Sequence, residues 1–271
     1  MSYVSIPCWR GRMGNRMFQY ALGKIIAKEK NLPFFSPPLI GFNETLKDNP
    51  NIPHITSNCI RTSTFGDHYV NMDLIMSTDE PILVDSYVQQ SVYFKDHREY
   101  LQQLFYVKNN IRVDDDELVV HVRETDVRMC NIYIREYIYH DIIDEIKPSK
   151  ISIVTDDINC NLVKDLCNRG ARIATLSNAN NNGDGFNDYE LYDYLYMLNS
   201  KHLLMTQSSY AWWASFLGDQ ENVYIPFDLS NPGTWKYKPE RDNQNLVFDN
   251  DKYKIRIYKD GQNINKLSCI Q

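Results

Sequence analysis

Five short runs in this chain carry residue types that do chemistry when a fold brings them together. The first is Gly11-Arg12-Met13-Gly14-Asn15-Arg16, continuing into Met17-Phe18-Gln19-Tyr20-Ala21. At a strand-to-helix turn, Gly11, Gly14 and Asn15 let the backbone approach a ligand closely. The helix that follows offers unpaired N–H groups and a positive dipole end to an anion. The spacing is G-x-x-G-N, not the G-x-G-x-x-G of dinucleotide binders, and the G-K-[ST] of a P-loop is missing. A glycine turn that merely starts a buried helix would use the same residues.

The second run, His121-Val122-Arg123-Glu124-Thr125-Asp126, ends an apolar stretch at Leu118–Val122. Arg123 offers a planar fork of donors to a phosphate. His121 and Asp126 can order that arginine or the ligand, and a plain Arg–Asp ion pair is the simpler alternative. The third run is Thr155-Asp156-Asp157 after Ile151–Thr155. Asp156 and Asp157 can hold ribose hydroxyls or a base edge, or cap a helix opening at Ile158. The fourth is Thr206-Gln207-Ser208-Ser209-Tyr210-Ala211-Trp212-Trp213. Ser208 and Ser209 open a helix, and the groups that cap it also suit a diphosphate. The fifth is Ser86-Tyr87-Val88-Gln89-Gln90-Ser91-Val92-Tyr93-Phe94, where Tyr87, Gln89 and Gln90 can face a sugar. No G-x-S-x-G or H-E-x-x-H is present, and no His/Cys/Asp cluster has zinc spacing. Nucleophilic hydrolysis has no support, and no metal is expected.

These runs need elements to position them. The second half alternates strand and helix: strands at 118–122, 151–155, 172–176, 202–206 and 222–226, with helices at 132–146, 158–168, 188–200 and 210–217 between them. That alternation predicts a parallel sheet covered on both faces, with ligands gathered where strands end. The first half opens with a strand at 3–9 and a helix to about Asn31. It resumes with a strand at 82–88 and a helix at 95–106. The intervening fifty or so residues show no clear period, and a polar loop is expected at 177–187. The tail from Asn243 offers one possible strand, at 253–258, with no evident place. A boundary near Lys108–Arg112 divides the chain into 1–110 and 111–271.

The composition is that of an ordinary globular protein, with 43% hydrophobic and 24% charged among 271 residues, enough for one large domain or two small ones. A net charge of −6 argues against nucleic-acid binding. No run reaches the ~20 apolar residues of a membrane span, and no secretion signal opens the chain, so a soluble cytoplasmic protein is expected. Cys8, Cys59, Cys130, Cys160, Cys167 and Cys269 then read as reduced thiols, with Cys8, Cys160 and Cys167 in apolar patterns that suit burial. Asn43-Glu44-Thr45 matches a glycosylation acceptor, a triplet common by chance.

Taken together and in order, the five runs resemble glycosyltransferase family 11, the α-1,2-fucosyltransferases. RGRMGNRMFQYA is similar to that family's GGLGNQMFQYA-like opening, SYVQQSVYF to YFQSxxYF and HVRETD to HVRRGD. Thr155–Asp157 is similar to its SDD. SSYAWW, following ELYDYLYMLNSKH, is similar to SSFSWW after DLYLMSLCKH. The resemblance spans residues 8–230. It implies an α/β, GT-B-like fold of two Rossmann-like halves facing a cleft. It implies GDP-L-fucose as donor, a galactose-containing glycan as acceptor, and no metal or other cofactor. The donor side would use Gly11, Gly14, Asn15, Arg16, Arg123, Asp156, Asp157, Ser208 and Ser209. Arg123, His121, Asp126 and Asn15 would stand nearest the chemistry, and Tyr87, Gln89 and Gln90 nearest the acceptor. Another nucleotide-sugar transferase, and a binding protein that has lost turnover, remain alternatives. The chain departs from the family where the second arginine of the motif is Glu124, its glycine is Thr125, and Arg16 replaces glutamine. Either Glu124 points away from a bound anion, or Arg16 supplies the lost charge.

Overall fold

The computed structural model describes residues 2–39, 41–42, 51, 53, 58–129, 131, 133–176, 188–231, 246 and 250–265. The expected loop at 177–187 and the triplet at 43–45 lie outside them. The chain forms two compact units, one mainly of residues up to Lys108 and one mainly from Asn109 onward.

The first unit carries β1 (Val4–Ser5), α1 (Met13–Lys30), β2 (Phe34–Phe35), β3 (Ile60–Arg61), α2 (Met72–Ser77), β4 (Ile82–Leu83) and α3 (Arg98–Leu104). Its sheet runs β2-β1-β4-β3, parallel throughout, with Val4 opposite both Phe34 and Ile82. β1 is shorter than its apolar run because Pro7 has no N–H to give a ladder. α1 buries Met17, Phe18, Leu22, Ile25 and Ile26. It stops where Asn31 turns left-handed at φ 52. There Asn31 N–H donates to Lys28 O (3.3 Å) and Leu32 N–H to Ala27 O (2.9 Å), the two bonds of a Schellman motif.

The second unit carries β5 (Glu117–Val122), α4 (Thr125–Met129), α5 (Glu136–Ile146), β6 (Lys150–Thr155), α6 (Asn161–Asn168), β7 (Arg172–Ile173), α7 (Asp188–Leu198), β8 (His202–Leu204), α8 (Ser209–Leu217), β9 (Asn222–Asp228), β10 (Tyr253–Lys259) and β11 (Gln262–Asn263). Its sheet runs β7-β6-β5-β8-β9-β10-β11, with only β11 antiparallel. Counted within the unit, that is strand order 3-2-1-4-5-6 followed by a hairpin, a doubly wound sheet whose order reverses between β5 and β8. β5, the first strand laid, is buried along its whole length, as a central parallel strand must be. One core cluster joins Leu118, Val120 and Val122 of β5 with Ile153 of β6, Ile138 and Ile142 of α5, and Leu162 and Leu166 of α6.

Several boundaries differ from the sequence reading for local reasons. α6 begins at Asn161, not Ile158, because Asp157 bonds locally: its Oδ1 accepts Asn159 N–H at 2.9 Å. The tail strand finds its place as β10, parallel to β9 with Tyr253 opposite Val223. α4 was not expected. Cys8 is exposed, contrary to the expected burial, and Cys59, Cys160 and Cys167 are partly buried; all four are free thiols. No helix among the described residues is long and apolar enough to cross a membrane.

Ile153 is fully buried in the middle of the second core. Ile153→Ala is expected to lower the unfolding free energy by about 2–5 kcal/mol. Urea titration measures this, and a loss below about 1 kcal/mol would mean that β6 is not the packed centre described.

Candidate functional site

Each unit gathers polar side chains at the carboxyl ends of its parallel strands. In the first unit, Gly11 sits at φ +71, and a Cβ there would collide with the Asn15 amide. Glycine is therefore required twice at this position, for the backbone and for the space. Gly14 and Asn15 stand in the first turn of α1, directly after Arg12, which caps it without a side-chain hydrogen bond. Gln19, fully buried, staples the turn to the helix. Its Nε2 donates to Arg10 O (2.8 Å) and Asn15 O (3.0 Å), and its Oε1 accepts Arg10 N–H (3.2 Å). Arg16 Nε donates to Gly11 O at 3.1 Å, so its fork wraps the turn it follows. The run after β4 joins this turn, with Gln89 Nε2 donating to Asn15 Oδ1. Gln90 and Ser91 beside it are buried. Asp85 anchors the run by accepting from Arg61 Nη1 (3.0 Å) and Ser63 N–H (2.9 Å), while Ser86 Oγ donates to Thr62 Oγ1 (2.8 Å). Asn15, Tyr87, Gln89 and Gln90 thus belong to one edge.

In the second unit the sequence runs meet at the strand-order reversal. His121 is the penultimate residue of β5 and Thr206 follows β8, and His121 Nδ1 lies 2.7 Å from Thr206 Oγ1. His121 is buried and packs beside Tyr210, ring centroids 6.3 Å apart. Burial, with the Arg123 charge adding to it, pulls this imidazole down to about 3, so it is neutral at physiological pH. Arg123 is held two-pronged by Asp126, Nε to Oδ1 at 2.9 Å and Nη2 to Oδ2 at 2.5 Å. Two donors of the guanidinium are thereby used, and its Nη1 side makes no protein hydrogen bond among the described residues. Ser208 caps α8 at φ −127, ψ 128 with no side-chain cap hydrogen bond, and Ser209 is the helix's first residue.

Glu124 turns away from that opening. Its side chain is 2% exposed and accepts from Arg128 Nε, one helical turn on, while Arg128 Nη2 also reaches Glu136 at 3.1 Å. Burial raises the Glu124 carboxyl above its usual range, against the lowering pull of Arg128. Asp156 closes the same corner: Oδ1 accepts Glu124 N–H (2.8 Å) and Oδ2 the Thr125 hydroxyl (2.5 Å). Asp157 accepts Asn159 N–H, as above, and its own N–H goes to Thr155 Oγ1 at 3.0 Å. Asp156 therefore ties the end of β6 to the loop after β5, and Asp157 shapes the loop after β6 itself.

Sequence reasoning missed three members of this edge. Arg128 was signalled only by its i+4 spacing from Glu124. Arg135 and Asp228 form a two-pronged pair, Nε to Oδ2 at 2.5 Å and Nη2 to Oδ1 at 2.6 Å, across 93 residues. No local pattern marks them. Among the described residues no group of three or more His, Cys, Asp or Glu could hold a metal ion.

No family model matches this chain, and no curated protein matches it. Among solved structures it is similar to a mutant of Arabidopsis thaliana FUT1 in complex with GDP, with a TM-score of 0.51 and 12% identity, over 83% of this chain and 70% of that one. The likeness shows the fold, a mixed α/β architecture that is GT-B-like.

Two measurements probe these contacts. Below about pH 6.5 the unfolded chain protonates His121, while the folded chain resists until about 3. Folding stability is therefore complete above that window and falls as pH drops through it, by up to about 1.4 kcal/mol per pH unit. In urea unfolding at about pH 7 and about pH 5, His121→Gln is expected to be less acid-sensitive than the parent; equal sensitivity would rule out the buried neutral imidazole. Arg128→Met strands the Glu124 carboxylate and is expected to cost about 1–3 kcal/mol. Combining it with Glu124→Gln should return part of that loss, and purely additive effects would dissolve the pair.

Proposed function

We propose that this chain is an inverting glycosyltransferase that moves L-fucose from GDP-β-L-fucose to a hydroxyl of a galactose-containing glycan, forming an α-1,2 linkage. The observation that carries this reading is the opening at the β5–β8 reversal. There Arg123 presents the Nη1 side of its guanidinium while Asp126 fixes its plane, and the Ser208–Ser209 start of α8 follows the neighbouring strand. Ligands of open parallel sheets bind at such reversals. The GT-B-like fold, shared with a structure that holds GDP, supports it, as does the ordered set of motif resemblances.

In this reading the acceptor oxygen attacks the anomeric carbon, the bond from that carbon to the phosphate oxygen breaks, and its electron pair leaves with GDP. Charge grows on the diphosphate, so donors already in place there contribute most. Arg123 and the Ser208–Ser209 turn have that role, and the arginine's fixed charge stands where a divalent ion would otherwise be needed. His121, buried and bonded to Thr206, is a positioning residue for the strand end. Asp126 is the more exposed of the two candidate proton acceptors. Of the remaining donor-side residues, Asp156 and Asp157 shape the loops beside Arg123 in the second unit, and Gly11, Gly14, Asn15 and Arg16 form the turn that opens α1 in the first.

A second reading, nucleotide binding without transfer, is favoured by one observation: the Arg123–Asp126 pair already neutralises the key cation. Calorimetry with GDP and a transfer assay with GDP-fucose separate the two. Arg123→Ala is expected to weaken GDP binding and to cut turnover by about 10²–10³. Near-normal transfer by a folded Arg123→Ala protein removes the assignment, and GDP binding with no turnover on any donor supports the second reading.

A further inference from the structure

The first unit's edge holds an imidazole that none of these roles uses. His68 stacks against Tyr87, with ring centroids 5.9 Å apart and planes at 30°. Its Nδ1 is buried with no hydrogen-bond partner among the described residues, a condition that costs about 1–3 kcal/mol and asks for a reason. Burial lowers the ring's pKa against the raising influence of Asp67, which keeps it uncharged at physiological pH.

The surroundings hold this pair firmly. Val88 N–H donates to Asp67 O at 2.9 Å. Val70 N–H donates to the Tyr93 hydroxyl at 2.7 Å, and that hydroxyl donates to Val70 O at 3.2 Å. Val88 itself stands at φ 49, in left-handed space that a β-branched residue seldom enters. Such strain persists only where neighbours over-determine it, and it gathers at ligand sites. On one side of Val88, Tyr87 meets His68; on the other, Gln89 meets Asn15. Both residues are partly exposed. The side chains that flank Val88 are two glutamine amides, an asparagine amide, a phenol and a neutral imidazole, with the exposed Asp67 carboxylate next to the imidazole.

We propose that His68 and Tyr87 form a saccharide subsite. A pyranose lays its apolar C–H face on the open part of the ring pair, and its hydroxyls bond the Tyr87 hydroxyl and the edge of the imidazole away from the buried Nδ1. Neutral amides and aromatic bodies suit a neutral polyhydroxyl ligand, with the polar groups setting its orientation. His68 is then a specificity-determining residue for the acceptor. This rests on the transferase reading above and adds a residue and a ligand chemistry to it.

The test is NMR titration of the full-length, GDP-saturated protein with methyl β-D-galactoside and with lactose. A saturable shift of the His68 ring resonances is expected. His68→Ala is expected to weaken saccharide binding by about tenfold while GDP affinity stays at the parent value. His68→Phe, which keeps a ring to stack on, should recover part of the loss. If neither saccharide moves the His68 resonances, or if His68→Ala binds them as the parent does, the subsite is overturned. Should the alanine variant not fold, the parent titration and Tyr87→Leu decide the matter. Failure to bind GDP would count against the transferase reading instead, so the two failures are distinguishable.

Discussion

The second unit depends on one geometric constraint, the reversal of strand order between β5 and β8. The connections leaving these strands run to opposite sides of the sheet, the arrangement that makes a crevice at the carboxyl ends of an open parallel sheet. Something must hold the two ends together while leaving that space open. The His121–Thr206 contact does so, at 2.7 Å from the end of one strand to the segment beyond the other. It joins a ring nitrogen to a hydroxyl inside the protein, and burial keeps the ring uncharged. A charged imidazole here would sit close to the Arg123 guanidinium, and that repulsion adds to the cost of burying it.

The arginines of this edge are arranged by the same economy of charge. Each is held by a carboxylate: Arg123 by Asp126, Arg128 by Glu124 and Glu136, Arg135 by Asp228. A guanidinium gripped along one side by a carboxylate loses its freedom before a ligand arrives, so less entropy is lost on binding. The price is local neutralisation, which weakens its pull on an anion. The Arg135–Asp228 pair and the Arg128 network tie down α4 and α5, because Asp228 and Glu124 are buried and would be costly unpaired. Arg123 alone of the three has its fork directed from the reversal itself. Glu124, which replaces an arginine in the motif it resembles, therefore serves the scaffold.

Much of this was legible in the sequence. The alternating elements of the second half gave the parallel sheet, because each buried strand is a compact apolar run and each helix is punctuated by glycine, proline or a capping residue. The runs at 121–126, 155–157 and 206–213 fell at strand ends for the same reason. What was hidden depends on contacts far apart in the chain. The tail strand β10 alternates apolar and basic residues, which suggests a strand, but only its parallel pairing with β9 shows where it belongs. The start of α6 moved because two side chains, Thr155 and Asp157, bond their own loop. Local side-chain bonds of that kind compete with helix, and propensity does not register them. Arg135 and Asp228 could not have been paired from spacing at all.

The two edges, each taken by itself, differ in the chemistry they favour. That of the second unit is ionic, with arginines and carboxylates held in pairs around an open strand reversal. An anion there gains from a fixed cation in a place of reduced dielectric. That of the first unit is built on amides, hydroxyls and rings, with Gln19, Gln89, Asn15 and Ser86 tied by hydrogen bonds between uncharged groups and Asp85 already engaged by Arg61. Desolvating such groups costs less than desolvating ions, and a neutral ligand repays it with hydrogen bonds of the same kind. In the proposed reading a sugar nucleotide and a glycan pose those two problems, one ligand charged and one not.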